Sequence, residues 1–240
     1  MLKGIIFDYG GTIDTNSVHW SEVIWEAYQA EHVPVSKEHY RLAYVHGERS
    51  LAKFPLIQPT HNMLDLLRIK LRIQLTFLID AGYCTPSVGE AALSETLAQR
   101  CYDHVVSILA VSRPVLQQLA ERYPLVLVSN FYGNIQAILN DFQLNSLFRQ
   151  VIESAVVGIR KPNPAIFQLG VDALGLQPSE VLVVGDSYTK DIVPAASLGC
   201  PTVWIQGKGW GDEPSEQSAS HATYIIHSIT QLTTLPVLQM

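Results

Sequence analysis

Three apolar runs in this chain stop abruptly at polar residues, and that pattern constrains the fold more than any other feature. Gly4-Ile5-Ile6-Phe7 ends in Asp8, Leu125-Val126-Leu127-Val128 ends in Ser129-Asn130, and Val181-Leu182-Val183-Val184 ends in Gly185-Asp186-Ser187. Short continuous runs of this kind read as strands buried on both faces, which needs helices on either side of a parallel sheet. In such a sheet all strands end on one edge, so residues remote in sequence converge on a single crevice.

The remaining pattern agrees. From Arg113 onward, helical segments at 113–122, 133–142, about 164–174 and 189–198 alternate with strands, including runs near Gln150-Val151-Ile152, at Thr202-Val203-Trp204-Ile205 and at Thr223-Tyr224-Ile225-Ile226. Between Asp14 and that region no strand signal occurs. Asn16 and Ser17 are candidate caps for a helix to about residue 32, Ser36 opens a second that stops near Gly47, and a third runs from about Thr60 to Gly82. The third has Met63, Leu64, Leu67, Leu71, Leu75 and Leu78 at helical spacing. A fourth helix, or pair, is expected from Pro86 to about Ala110. The expectation is a doubly wound α/β core of residues 1–15 and 112–240, with residues 16–111 inserted as a helical cap.

With 240 residues, 48% of them hydrophobic, the chain is long enough for a sizeable core. No stretch approaches a membrane span, and the N-terminus enters the first strand without a signal-peptide pattern. A formal charge of −6 disfavours nucleic acid as a partner. Cys84, Cys101 and Cys200 are too few and scattered for a disulfide framework or zinc site, so a reducing cytoplasm is expected. The polar stretch 207–221 reads as a surface loop. Oligomeric state is not encoded in any recognisable pattern.

Asp8, Ser129, Asn130 and Asp186 end strands, and Lys161 precedes a helix at the same edge. Two carboxylates, a hydroxyl and a lysine gathered there suit a divalent cation and a phosphate. Oxygen donors without a His/Cys cluster favour magnesium over zinc.

These stretches resemble the motifs of the haloacid-dehalogenase (HAD) superfamily of hydrolases. Asp8-Tyr9-Gly10-Gly11-Thr12 resembles the first motif, Asp-x-Asp-Gly-Thr, with Gly10 in place of the second aspartate. Ser129-Asn130 is similar to the second motif, Arg160-Lys161-Pro162 to the third, and Gly185-Asp186-Ser187 with Asp191 to the fourth. The resemblance implies a Rossmannoid core with a C1-type cap, acting on a small phosphorylated molecule. It implies that Asp8 attacks phosphorus and that Mg²⁺ is held by Asp8, the Gly10 carbonyl and Asp186. Ser129, Asn130, Gly11 and Thr12 would hold the phosphoryl group, and Lys161 would screen its charge. Asp191 would support the metal site or Lys161, and Ser187 would contact metal-bound water.

In family phosphatases the second aspartate moves the proton, which a glycine cannot do. Three readings follow for Gly10. The first is a weak or specialised phosphatase with acid/base help from His19, Tyr9, His46 or Glu48. The second is a phosphonatase-like enzyme in which Lys53, placed in the cap's substrate loop, forms a Schiff base. The third is a non-catalytic relative that binds a phosphorylated metabolite or a protein. Residues about 45–55 and the Tyr9–Trp20 neighbourhood are expected to contact substrate, and the aromatic set Trp20, Trp25 and Tyr44 either lines a pocket there or, as helical spacing more often gives, forms the core of the cap.

Overall fold

The structure is a computed structural model, and it describes residues 1–85, 88–209, 211 and 214–239. Pro86, expected to open the fourth helix, and Trp210, Asp212 and Glu213 of the polar loop lie outside the described residues. Six strands form one sheet: β1 (Gly4–Phe7), β2 (Leu125–Ser129), β3 (Gln150–Glu153), β4 (Val181–Gly185), β5 (Thr202–Ile205) and β6 (Tyr224–Ile226). All neighbours pair parallel in the order β3-β2-β1-β4-β5-β6. Chain direction therefore reverses its lateral course beside β1, between β1 and β4, which is the switch point where such sheets open a ligand crevice.

The nine helices assigned to the described residues are α1 (Trp20–Ala30), α2 (Lys37–Lys53), α3 (Met63–Asp80), α4 (Glu90–Ala120), α5 (Ile135–Asp141), α6 (Ser154–Val157), α7 (Ala165–Leu174), α8 (Val193–Ser197) and α9 (Pro236–Gln239). Alternation along the strands splits the core in two, because successive side chains point to opposite faces. Ile5, Phe7, Leu125, Leu127, Leu182 and Val184 belong to the large cluster shared with α1–α5, whereas Ile6, Val126, Val128, Val181 and Val183 pack with Phe167 and Val171 of α7. No helix among the described residues is long and apolar enough to cross a membrane. All three cysteines are free and buried.

Four local expectations are corrected by packing. Helix α1 begins at Trp20, capped by His19, whose Nδ1 accepts from the Ser21 amide at 3.1 Å. Asn16 and Ser17 instead adopt left-handed backbone (φ 49° and 68°) and tie this turn to the far side of the sheet. Asn16 accepts from the Ile229 amide at 2.8 Å, and the Ser17 hydroxyl donates to the Ile205 carbonyl. Helix α2 runs through Gly47 to Lys53. A Cβ at Gly47 would lie 3.2 Å from Gln74 Cγ, so the glycine records close approach of α2 to α3 and is not a stop signal.

The third correction concerns the expected break near residue 112. Helix α4 runs unbroken for 31 residues with Pro114 inside it. Proline in a helix interior costs about 3 kcal/mol, chiefly through a lost backbone bond and a steric clash. Val115, Leu116 and Leu119 are buried just beyond it. Each is worth about 1.5–3 kcal/mol on burial, so packing outweighs the local penalty. Ser112 also donates to the Ile13 carbonyl at 2.9 Å, fastening the helix beside the first motif. Fourth, the segment expected as one helix from 189 to 198 is a π-helical turn, Tyr188–Ile192, leading into α8. Wide turns of this kind re-aim side chains and are frequent at functional sites.

Candidate active site

Asp8 leaves β1 where the chain turns through Gly10 and Gly11, and its amide donates to the Val184 carbonyl at 2.9 Å. The turn demands glycine at one position. Gly11 has φ +100°, and a Cβ there would lie 2.3 Å from Asp186 Oδ2. Gly11→Ala is expected to destabilise the protein by about 1–3 kcal/mol through backbone strain and to displace the Asp186 carboxylate. Chemical denaturation together with Mg²⁺ affinity checks both effects. Gly185 meets a similar limit, since its Cβ would lie 2.4 Å from that of Asp191.

The carboxylates converge around one ammonium. Lys161 Nζ donates to Asp8 Oδ1 at 2.6 Å and to Asp191 Oδ1 at 2.7 Å, and its side chain is 2% exposed. Burial alone would drive this lysine neutral, but Asp191 and Asp8 outweigh it and hold its pKa above the usual lysine value. Thr12 Oγ1 lies 3.1 Å from both Asp8 Oδ2 and Asp186 Oδ1. Ser129 donates to Asp8 Oδ1 at 3.4 Å. Oxygens of Asp8, Asp186 and Asp191 lie within 4.8 Å of one another. Burial, then the neighbouring carboxylates, push Asp186 well above the carboxylate range; Asp8 is also raised, by burial first, although Lys161 opposes the shift. Three crowded carboxylates against one ammonium leave a local excess of negative charge, and that donor set fits a hard divalent cation.

Second contacts fix these groups. Asn130 Nδ2 donates to the Lys161 carbonyl at 3.1 Å and its Oδ1 accepts from the Lys161 amide at 2.9 Å, so its side chain clamps the lysine loop, which continues through a cis Lys161-Pro162 bond. The Ser187 amide donates to Asp191 Oδ2 at 3.0 Å, and the Trp204 indole donates to the Asp186 carbonyl at 2.8 Å. Asp14 accepts from the Gly11 amide at 2.7 Å and from the Trp20 indole at 3.0 Å. Burial raises Asp14 to about 7 against the pull of those two bonds.

A cavity of about 370 Å³ opens over this cluster. Asp8, Gly10, Gly11, Ser129, Asn130, Lys161, Asp186, Ser187 and Asp191 all line it, and Thr12 lies buried behind. Of the cap candidates, Glu48, His19, Trp20 and Tyr44 line it too. Burial, with Lys190 next, lowers His19 to about 4, so it is neutral at pH 7. The others are placed elsewhere. Tyr9 is fully buried against Phe131, His46 is exposed and stacked on Phe77, and Trp25 packs on Tyr40. Lys53 ends α2 exposed over the ring of Phe54 and does not line the cavity.

The structure also brings in residues that sequence reasoning passed over. Lys70 lies on the buried face of α3, lines the cavity and pairs with Glu48 at 2.6 Å. A signal existed, since Lys70 falls three residues after Leu67 and one before Leu71, inside an apolar stripe. Phe131 and Tyr132, directly after the Ser129-Asn130 pair, line the cavity as well.

Comparison with known proteins agrees with this layout. The chain is 32% identical over 90 residues to the glyceraldehyde 3-phosphate phosphatase of Pyrococcus furiosus, covering 38% of this chain and 37% of that one. It is 26% identical over 218 residues to the phosphoglycolate phosphatase of Pectobacterium atrosepticum, covering 88% of this chain and 83% of that one. The first alignment thus spans little over a third of the relative's length. The L-2-haloacid dehalogenase RSc1362 superposes with a TM-score of 0.60 at 21% identity over 100% of this chain and 99% of that one, a likeness of fold. The family model for haloacid dehalogenase-like hydrolase matches residues 2–199. With that match spanning β1 to β4 and the strand ends that carry Asp8, Ser129 and Asp186, the chain belongs to the haloacid dehalogenase-like hydrolases.

Proposed function

We propose that this chain is a Mg²⁺-dependent phosphatase of a small phosphorylated molecule, working through an aspartyl-phosphate on Asp8, with residues 16–111 as the cap over its site. The observation that carries the reading is Lys161, buried between Asp8 and Asp191 beside a third carboxylate and the Ser129 hydroxyl. Asp8 presents Oδ1 and Oδ2 to different partners, so one oxygen is available as nucleophile, and Lys161 favours its ionised form against the burial that raises its pKa. Lys161 and Ser129 meet the oxygens of the transferring phosphoryl group, and Ser129-Asn130 and the Gly11-Thr12 turn, whose amides are held by Asp14 and the Tyr9 carbonyl, shape the pocket around it. Asp8, the Gly10 carbonyl and Asp186 would hold Mg²⁺, which supplies charge neutralisation for phosphoryl transfer when bound. Asp191 and Ser187 keep Lys161 and the metal-binding loop in place.

Gly10 leaves the site without a carboxyl group at that position, so alkyl esters, whose leaving group needs a proton, turn over slowly. Glyceraldehyde 3-phosphate and phosphoglycolate, named for the relatives, are two substrates to try. The phosphonatase alternative needs a desolvated lysine at Lys53, and the exposed position of that side chain gives it no support. Metal removal is the direct test. Phosphate release from phenyl phosphate is expected to vanish on dialysis against EDTA and to return with added Mg²⁺; release that survives chelation would refute a metal-dependent site.

A further inference from the structure

The cap side of the cavity contains a charge pair that the proposed chemistry leaves unused. Lys70 Nζ lies 2.6 Å from Glu48 Oε1, and the Tyr132 hydroxyl donates to Glu48 Oε2 at 2.8 Å. The ammonium also lies 5.8 Å from the ring centre of Tyr44 and 5.4 Å from that of Tyr132. Lys70 is 6% exposed and Glu48 half-buried, and both line the same cavity as Asp8. Two other described cations line the cavity, Arg160 beside Lys161 in sequence and Lys190 beside Asp191, and Lys190 also acts on His19.

Such a pair has a definite chemical preference. An ammonium has three donors, and Glu48 Oε1, though ion-paired with it, accepts no hydrogen bond of good geometry, so both members have hydrogen-bonding capacity to spare. A hydroxyl accepts from the first and donates to the second, so it matches both members at once. A second anionic group on the substrate would gain from Lys70 and lose to Glu48, in a site where the lysine is buried and the glutamate half-buried. Aromatic rings at Tyr44, Tyr132 and Trp20 supply flat apolar surface for the C–H faces of such a ligand.

Resting on the phosphatase reading above, we propose that Lys70, Glu48 and Tyr132 form the specificity site for an uncharged, hydroxyl-bearing leaving group: the substrate is a polyol or sugar phosphate and not a phosphocarboxylate. The pair then sets which ester stays bound, while Asp8 and Lys161 act on whatever phosphate reaches them.

The test is titration calorimetry with Mg²⁺ on full-length protein carrying Asp8→Asn, so that bound ester is not consumed. The probes are sorbitol 6-phosphate, 2-phosphoglycolate and phenyl phosphate. Sorbitol 6-phosphate is expected to bind at least about tenfold more tightly than 2-phosphoglycolate, the worth of one hydrogen bond to a charged group. Adding Glu48→Gln is expected to lower that ratio about tenfold, because the amide no longer repels the second carboxylate. Lys70→Met is expected to weaken sorbitol 6-phosphate relative to phenyl phosphate by a similar factor. A merely structural ion pair would change denaturation midpoints and leave both ratios alone, which would overturn the proposal. A native preference for 2-phosphoglycolate would do the same, even where the Glu48 and Lys70 variants fail to fold. Equal binding of all three esters would defeat this inference alone, whereas no binding of any would defeat the phosphatase reading with it.

Discussion

Asp8→Asn is expected to abolish phosphate release, lowering kcat by about 10⁴-fold or more, while leaving the protein folded. The two halves of this expectation have separate physical origins. An amide oxygen is too weak a nucleophile to attack phosphorus, so the chemical step has no substitute within the site. Folding is little affected because the site holds three carboxylates against one ammonium, so Lys161 keeps Asp191 at 2.7 Å and the crowding around Asp186 falls. The measurement is phosphate release from phenyl phosphate beside a urea denaturation curve. Turnover that persisted in Asp8→Asn would move the nucleophile to another residue.

Gly10→Asp is expected to act in the opposite direction, raising turnover of alkyl phosphates by about 10²-fold or more, within the range of general acid–base catalysis. The structure has room for the change. A Cβ at Gly10 would meet Phe131 Cε2 and Trp20 Nε1 at 3.9 Å, ordinary van der Waals distance, and the backbone there does not require glycine. Gain should depend on the leaving group. An alkoxide needs a proton as it departs, whereas a nitrophenolate does not, so nitrophenyl phosphate should gain far less than an alkyl ester. Steady-state kinetics on both esters separates these cases, and an equal gain on both would show that Gly10→Asp acts on binding or metal affinity and not on proton transfer.

The floor of the cavity was legible because its signals are local. A strand that is apolar throughout and then stops at Asp8, Ser129 or Asp186 reports its own end, and parallel pairing places those ends on one edge without further information. Lys161 and Asp191 came from short motifs at fixed spacing. Element boundaries fared worse where a local stop signal met a tertiary contact. Gly47 and Pro114 look like helix ends, yet one lies against Gln74 and the other is carried by the buried residues that follow it. Asn16 and Ser17 look like caps, yet they bond to Ile229 and Ile205, about two hundred residues away.

The cavity roof was the least legible part. Lys53 and Lys70 are both lysines on the helices inserted between β1 and β2, and only the second reaches the cavity. Helical spacing hints at Lys70, but its carboxylate partner comes from α2 and the tyrosine that joins them comes from the loop after β2.

By itself, then, the sequence determined the parallel α/β architecture, the inserted helices and the identity of the groups on the floor, because strand burial and motif spacing are properties of contiguous residues. Tertiary structure alone decided which residues of the inserted helices face that floor. Whether a lysine ends in water or in a cavity depends on how two helices and a loop meet, and the free energy of that meeting is spread over contacts that no single stretch of sequence contains.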